Sequence, residues 1–364
     1  MPEVFLNCSY ASICSGCDWL LKPMAEQRAL KLAHLRSVWP TAPTSLDYHS
    51  CVIGGSRDRV DLMIDRTRGI GLFDRFKTGI VDLQGCPQMS PALEAWFVEF
   101  RRFDFGINRG SVRLRVSPSG ERGVWLDFAN IDVKTLLDDG RVLRALLASG
   151  AKVEIGQRRK RLVERDGRLR LDDPVLEPWF ETYVDGKPAP LYCTIGSFTQ
   201  PGFAVNRMLV EQALSLVPAG SRAAEFGSGI GNFTLPLASK FSHVDAYEVD
   251  SLALEGLKRG LSEATLTDRV SIHEGNFQGE KALALDFAGV DCLLVDPPRS
   301  GLMKFLEPLA KARPRTLLYV SCFAESFAAD SARLHEFGYH VESASIIDQF
   351  PQSQHYEIVA LFST

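Results

Sequence analysis

No apolar run in this chain of 364 residues approaches the ~18 residues of a membrane-crossing helix, so no membrane partner is expected. The start, Met1-Pro2-Glu3-Val4-Phe5-Leu6-Asn7-Cys8, lacks a basic stretch followed by an apolar one. No secretory leader is therefore expected, and the protein is expected in the cytoplasm. Internal repeats and low-complexity tracts are missing too, which sets aside solenoids and fibrous arrays. Cysteine is scarce: 8 residues are too few for a disulfide scaffold of this length. In a reducing compartment, clustered cysteines point to metal or catalysis instead. A strong positive balance is also lacking, since 41 Lys/Arg face 45 Asp/Glu for a net charge of −4.

The distribution of charge is more informative than its sum. From Glu99 to Arg170 there are 17 Lys/Arg against 10 Asp/Glu, a local excess of seven positive charges. A basic central segment in an acidic chain can face an RNA backbone. The other 45% hydrophobic and 24% charged statistics are those of a globular protein of two or three domains.

Three textures follow one another along the chain. Residues 1–54 hold a cysteine cluster and a helical stretch from Pro23 to Val38, ended by Trp39-Pro40. Residues 55–195 mix alternating segments, such as Arg59–Ile64 and Val112–Val116, with turns such as Ser117-Pro118-Ser119-Gly120, which predicts an α+β domain. Residues 196–364 alternate apolar runs with helical stretches, the rhythm of a mostly parallel α/β sheet. Its strands are predicted at Arg222–Phe226, His243–Val249, Val270–His273, Asp291–Val295, Thr316–Val320 and Ile358–Phe362.

Chemistry-bearing residues gather at the ends of those strands. Gly227-Ser228-Gly229-Ile230-Gly231 follows the first and opens a helix, so its backbone can approach a ligand closely. The spacing is Gly-x-Gly-x-Gly and not the Gly-x-Gly-x-x-Gly of a dinucleotide fold. Glu248 lies about 20 residues on, where a carboxylate can accept from both hydroxyls of a ribose. Asn276, after the third strand, is placed to meet an adenine edge. Asp296-Pro297-Pro298-Arg299 closes the fourth strand; the prolines fix an extended turn with its carboxylate toward a cleft. An aromatic residue in place of Arg299 would mark methylation of an amino nitrogen. Cys322 ends the fifth strand and opens a helix, a position that favours a thiol of lowered pKa. Glu357 borders the last strand, where burial can raise a carboxylate into the range of a general base.

In this order, the Glu225–Phe233 loop, Asp296-Pro297-Pro298-Arg299, Ser321-Cys322 and His355-Tyr356-Glu357 resemble the RNA 5-methyluridine methyltransferase family, its bacterial ribosomal-RNA members above all. The resemblance implies a Rossmann-like domain that binds S-adenosylmethionine through Glu225, Gly227, Gly229, Glu248, Asn276 and Asp296, with Gln200 in contact with the cofactor or the target base. It implies Cys322 as nucleophile, Glu357 as base and Asp296 as a catalytic group, acting on a uridine turned out of its stack. The family usually has Asn two residues after Gln200, where this chain has Gly202, and Asp and Cys where it has Glu225 and Ser228.

Four cysteines remain. Cys8, Cys14 and Cys17, with Cys86 before Pro87, suit either a [4Fe–4S] cluster or a zinc site. The iron–sulfur members of the same family are similar here, which implies the cluster. Cys51, Cys193 and Cys292 read as ordinary buried thiols. The chain starts at the cysteines, so the family's N-terminal RNA-binding barrel is expected to be lacking and RNA contacts fall to Arg57, Arg59, Arg113, Arg115 and Arg158-Arg159-Lys160-Arg161. The expectation is a monomer acting on ribosomal RNA. Transfer RNA, the same adduct chemistry on cytosine, and a non-catalytic iron–sulfur RNA-binding protein are the alternatives.

Overall fold

The computed structural model describes residues 6–51, 53–67, 69–275, 287 and 289–364. In chain order come helix α1 (Met24–Val38), strands β1 (Asp47–His49), β2 (Arg59–Asp65), β3 (Gly69–Phe73) and β4 (Ile80–Asp82), and helix α2 (Pro91–Phe100). Strands β5 (Arg109–Val116) and β6 (Arg122–Phe128) precede helices α3 (Asn130–Asp139) and α4 (Arg141–Ala148). Then follow β7 (Lys152–Ile155), β8 (Lys160–Arg165), β9 (Arg168–Asp172), β10 (Glu177–Val184) and β11 (Lys187–Cys193). The remainder runs α5 (Phe203–Leu216), β12 (Gly220–Phe226), α6 (Thr234–Lys240), β13 (Phe241–Glu248), α7 (Ser251–Glu263), β14 (Val270–Glu274) and β15 (Cys292–Val295). It ends α8 (Leu306–Ala312), β16 (Thr316–Ser321), α9 (Ala324–Glu336), β17 (His340–Ile347) and β18 (Glu357–Ser363).

These elements form two compact units, each of non-contiguous segments. The first takes Met1–Pro23, Val52–Phe180 and Cys193–Phe203; the second takes Met24–Cys51, Glu181–Tyr192 and Ala204–Thr364. The first carries the sheet β4-β3-β2-β5-β6-β7-β8-β9. Its pairs are antiparallel except β6 with β7, which α3 and α4 join as a crossover. Period-two alternation buries Val60, Leu62 and Ile64 and turns Arg59, Asp61 and Met63 outward. Helix α2 starts where Ser90 caps it, its Oγ accepting from the Leu93 amide, with Pro91 preset in the first turn. It buries Leu93, Trp96, Phe97 and Phe100 in one core with Val112, Leu114, Val124 and Leu126. Truncating fully buried Trp96 to Ala costs about 3–5 kcal/mol.

The second unit carries the sheet β1-β17-β18-β16-β15-β12-β13-β14. Strands β12 to β16 are mutually parallel, and β18 inserts antiparallel between β16 and β17. The predicted strands of residues 196–364 all appear. Two more, β1 and β17, were not expected: β17 mixes His340, Glu342, Ser343 and Ser345 with its apolar residues, which hides it from a periodicity count. Strand β15 is buried along its whole length, as befits a strand covered on both faces.

Candidate active site

Strand register gathers one set of residues at one edge. Phe226 pairs with both Tyr247 and Val295, and Val295 with Tyr319. The residues just beyond, Gly227, Glu248 and Asp296, therefore leave the sheet together. Ser321 pairs with Ile358 in the antiparallel direction, so the next step outward brings Cys322 opposite Glu357. The chain order reverses between β12 and β15, the topological switch point where open α/β sheets bind ligands.

The glycine loop has the geometry its composition predicts. Gly227, Gly229 and Gly231 take φ of +77°, +52° and +99°, values that L side chains rarely adopt. A Cβ on Gly231 would stand 2.6 Å from Leu257, whereas one on Gly229 would meet nothing closer than the Gly227 carbonyl at 4.0 Å. The backbone at Gly229 thus borders open space. Beside it, Ser228 Oγ is buried and has no hydrogen-bond partner among the described residues, a polar atom suited to a ligand. Glu248 accepts from the amides of Gly229 (2.9 Å), Val249 (2.7 Å) and Asp250 (2.9 Å), which fixes its carboxylate at the rim of the loop. Glu225 is buried beneath, accepts 2.6 Å from the Thr234 hydroxyl, and is pushed up to about 8 by desolvation. It braces the loop against α6. This donor set fits a cationic nucleoside cofactor such as S-adenosylmethionine. Asn276 lies outside the described residues.

Around the reacting end, acidity is suppressed. Desolvation raises Asp296 to about 7. Glu357, 5% exposed, is raised well above its usual value by burial and then by Asp296, with Arg299 opposing. The Cys322 thiol is also raised, by burial first and then by the carboxylates of Glu357 and Asp296; Arg299 opposes with its charge and a hydrogen bond. The lowered thiol pKa expected from its helix-start position is therefore corrected. Two neighbouring acids and desolvation outweigh the one cation. Arg299, read from the sequence only as a replacement for an aromatic residue, is the cation that this reading did not place beside Cys322 and Glu357. Its signal was an arginine one turn past the strand that flanks the cysteine strand.

In the first unit, the segment that carries Gln200 is clamped from two sides. Glu154 accepts from the amides of Ile195 and Gly196, both at 2.9 Å. Arg115 donates to the carbonyls of Thr194 (3.0 Å) and Ile195 (3.2 Å) and to Thr199 Oγ1 (2.8 Å). Arg115 is 1% exposed, so its expected role as an RNA contact is corrected: it belongs to the interior. Gly202 is explained by crowding, since a Cβ there would lie 1.7 Å from the Ser56 carbonyl oxygen. Arg113 is tied to Asp61 at 2.6 Å, and Arg59 lies over the exposed ring of Phe198 at 5.2 Å. Arg158 and Arg159 are exposed.

The same unit holds the four expected metal thiols. Burial pushes Cys17 up to about 11, and Cys86, Cys14 and Cys8 each add to the rise. Cys86 and Cys14 are raised as well, by burial first; Arg57 and Arg75 oppose. Cys17 thus lies within electrostatic reach of the other three sulfurs, and Arg57 and Arg75 bring two positive charges to the group. Among the described residues no three His, Cys, Asp or Glu side chains stand at the spacing of a metal-ligand set. Cys51 is exposed and so departs from the buried thiol expected; Cys193 and Cys292 are buried.

The family model for tRNA (Uracil-5-)-methyltransferase matches residues 180–364. An uncharacterized RNA methyltransferase of Bdellovibrio bacteriovorus is 41% identical over 97% of this chain and 94% of its own. The chain belongs to the RNA uracil-5-methyltransferase family. A family member of Nitrosospira multiformis, a 23S rRNA (uracil(1939)-C(5))-methyltransferase, is 28% identical over 98% of this chain and 84% of its own. The fold matches that of the Pyrococcus abyssi tRNA (uracil-54, C5)-methyltransferase in complex with S-adenosyl-L-homocysteine, with a TM-score of 0.72 and 20% identity over 96% of this chain and 86% of that one. As a family member this chain is an RNA uracil-5-methyltransferase dependent on S-adenosylmethionine. Among the described residues no helix is long and apolar enough to cross a membrane.

Proposed function

We propose that the enzyme methylates a uridine of 23S ribosomal RNA, with Cys322 as nucleophile and Glu357 as general base. The observation that carries this reading is the register that sets Cys322 opposite Glu357 beside buried Asp296. Ribosomal RNA is favoured because relatives that align over 98% of the chain are named for it. The transfer-RNA enzyme shares the fold at 20% identity. The intact pair Cys322 and Glu357 argues against a purely RNA-binding role.

Carbon 5 of uracil is a weak nucleophile. Addition of the Cys322 thiolate to carbon 6 moves the double-bond pair onto the ring as an enolate, and carbon 5 gains the electrons it needs. Asp296, half-protonated near neutrality at about 7, is able to donate a hydrogen bond to the developing oxyanion. S-adenosylmethionine, when bound, supplies the methyl group as a sulfonium; Gly227, Gly229 and Glu248 would hold it, with Glu225 bracing the loop and Gln200 and Asn276 as further contacts. Glu357 then removes the carbon-5 proton, that electron pair restores the ring double bond, the bond from carbon 6 to sulfur breaks, and the thiolate leaves.

We also infer a [4Fe–4S] cluster on Cys8, Cys14, Cys17 and Cys86; one zinc ion is the competing occupant. It would serve structure or RNA positioning, since methyl transfer needs no redox step. The cysteine segment, residues 55–195 and residues 196–364 then divide cluster binding, RNA contact and chemistry. Anaerobic purification with iron, sulfide and zinc analysis decides the occupant: equal iron and sulfide supports the cluster, zinc alone refutes it. For the function, the enzyme is incubated with 5-fluorouridine-substituted 23S fragments and, separately, transfer RNA. A stable adduct on Cys322 with the ribosomal fragment is expected. An adduct with transfer RNA alone would overturn the substrate, and none with either would overturn the chemistry.

A further inference from the structure

Helix α1 buries an unusual face. Its inward residues at a helical spacing are Gln27, Lys31 and Leu35, of which the first two are polar and 0% exposed. Both polar residues meet the segment between β17 and β18. Gln27 and Gln352 exchange two hydrogen bonds, Gln27 Nε2 to Gln352 Oε1 at 2.8 Å and the Gln352 amide to Gln27 Oε1 at 2.9 Å. Gln352 is held there with a φ of +70°, a left-handed backbone that a non-glycine residue adopts only under constraint. Lys31 Nζ donates to Asp348 Oδ1 at 2.7 Å and to the Phe350 carbonyl at 3.1 Å, while the Tyr48 hydroxyl donates to Asp348 Oδ2 at 2.5 Å.

One turn further on, His34 reaches a residue beside each member of the reacting pair. Its Nδ1 is 2.8 Å from the hydroxyl of Tyr356, the residue before Glu357. Its Nε2 is 3.5 Å from Glu325, three residues past Cys322 in the first turn of α9. A carboxylate facing Nε2 calls for the ring proton there, so Nδ1 accepts from the tyrosine hydroxyl. An apolar α1 would bind the same surface without fixing its register. Buried hydrogen bonds accept only one arrangement.

We propose that Gln27, Lys31 and His34 are positioning residues: the polar face of α1 holds the Asp348–Tyr356 segment so that Glu357 stands in reach of the carbon-5 proton. The inference rests on the assignment of Glu357 as base and Cys322 as nucleophile. Glu357 acts only after methyl transfer, so displacing it must slow release of the methylated RNA and spare formation of the adduct.

The test uses the full-length enzyme with methyl-labelled cofactor and an RNA substrate, read as labelled protein–RNA adduct on a denaturing gel. His34→Leu is the first variant, because His34 is about half exposed and its loss is unlike the removal of a buried charge. Gln27→Leu is the second, and Lys31→Met with Asp348→Leu removes the buried pair together. The expected result is release slowed at least about tenfold, a fraction of what a whole general base contributes, with adduct formation on 5-fluorouridine RNA changed less than about threefold. His34→Gln, which keeps a hydrogen-bonding side chain, is expected to restore part of the release rate. Equal loss of both steps, or normal release in His34→Leu and Gln27→Leu, would overturn the positioning role. Glu357→Gln runs alongside. If it releases RNA at the wild-type rate, the base assignment itself is wrong and the inference falls with it. If it traps the adduct and the α1 variants do not, only the inference falls.

Discussion

Replacing Arg115 by Met tests the claim that a buried guanidinium, and not an RNA contact, occupies that position. Arg115 is 1% exposed and donates to two carbonyls and one hydroxyl of the Thr194–Thr199 segment. Methionine fills a similar volume and removes the cost of burying the charge. It leaves the Thr194 and Ile195 carbonyls without this donor, at roughly 1–3 kcal/mol each where no water reaches them. It also strips the charge that opposes the raised pKa of buried Glu154, which then stays protonated more readily and grips the Ile195 and Gly196 amides less strongly. The sum is a loss of about 3–5 kcal/mol, in the range for breaking a buried charged network by removal of one partner. With a urea dependence of roughly 1–3 kcal/mol per molar, the midpoint falls by about 1–5 M. Arg115→Lys keeps the charge and loses the forked geometry, and should fall between the two. A loss below about 1 kcal/mol, together with RNA affinity reduced as for an exposed arginine, would refute the interior role.

Three further outcomes follow from the same geometry. Glu357→Gln should leave adduct formation intact and slow RNA release by roughly 10²–10⁴-fold, seen as labelled adduct persisting on a denaturing gel; prompt release would remove Glu357 from the base role. Because the Cys322 thiol is raised, the rate of adduct formation on 5-fluorouridine RNA should climb with pH through neutrality to at least pH 9, and Arg299→Gln, which deletes the opposing charge, should slow it further at pH 7.5; a plateau below pH 7 would show a thiolate already formed. Glu225 titrates at about 8 against an ordinary 4.5, so the folded state holds its proton more tightly than the unfolded one. Its contribution to stability is whole below pH 4.5 and is lost as pH rises toward 8, so denaturation midpoints of wild type should decline across that window and those of Glu225→Gln should decline less; equal slopes would contradict a buried protonated Glu225.

Much of the second unit was legible because its strands are apolar and its chemistry sits at strand ends. A run such as Leu293-Leu294-Val295 has one solution in a sheet covered on both faces, and Asp296 after it can only emerge at an edge. Register, by contrast, is set by pairing between segments far apart in sequence. That β18 inserts beside β16, and so brings Glu357 to Cys322, is a property of the sheet and not of either motif. The burial of Arg115 was hidden for a related reason. On a strand that alternates with Val112, Leu114 and Val116, an arginine reads as outward-facing. Here the outward face is covered by the Thr194–Thr199 segment of its own unit, which turns a surface position into an interior one.

Helix α1 carries this point furthest. Residues Met24–Val38 read plainly as a helix, but the face it buries sets Gln27 and Lys31 in line with Leu35, so no continuous apolar stripe announces what its first half packs against. Adjacent in sequence to the cysteine segment, it belongs to the unit that carries Cys322 and Glu357. Buried polar groups are costly unless every one finds its partner, and here Lys31, Asp348, Gln27 and Gln352 pair with one another across more than 300 residues of chain. Such a network contributes little net stability over an apolar contact of the same size. Its physical advantage is a single register, and the segment so registered ends at the carboxylate opposite the nucleophile. The polarity that made α1 illegible as a packing element is therefore what ties it to the chemistry.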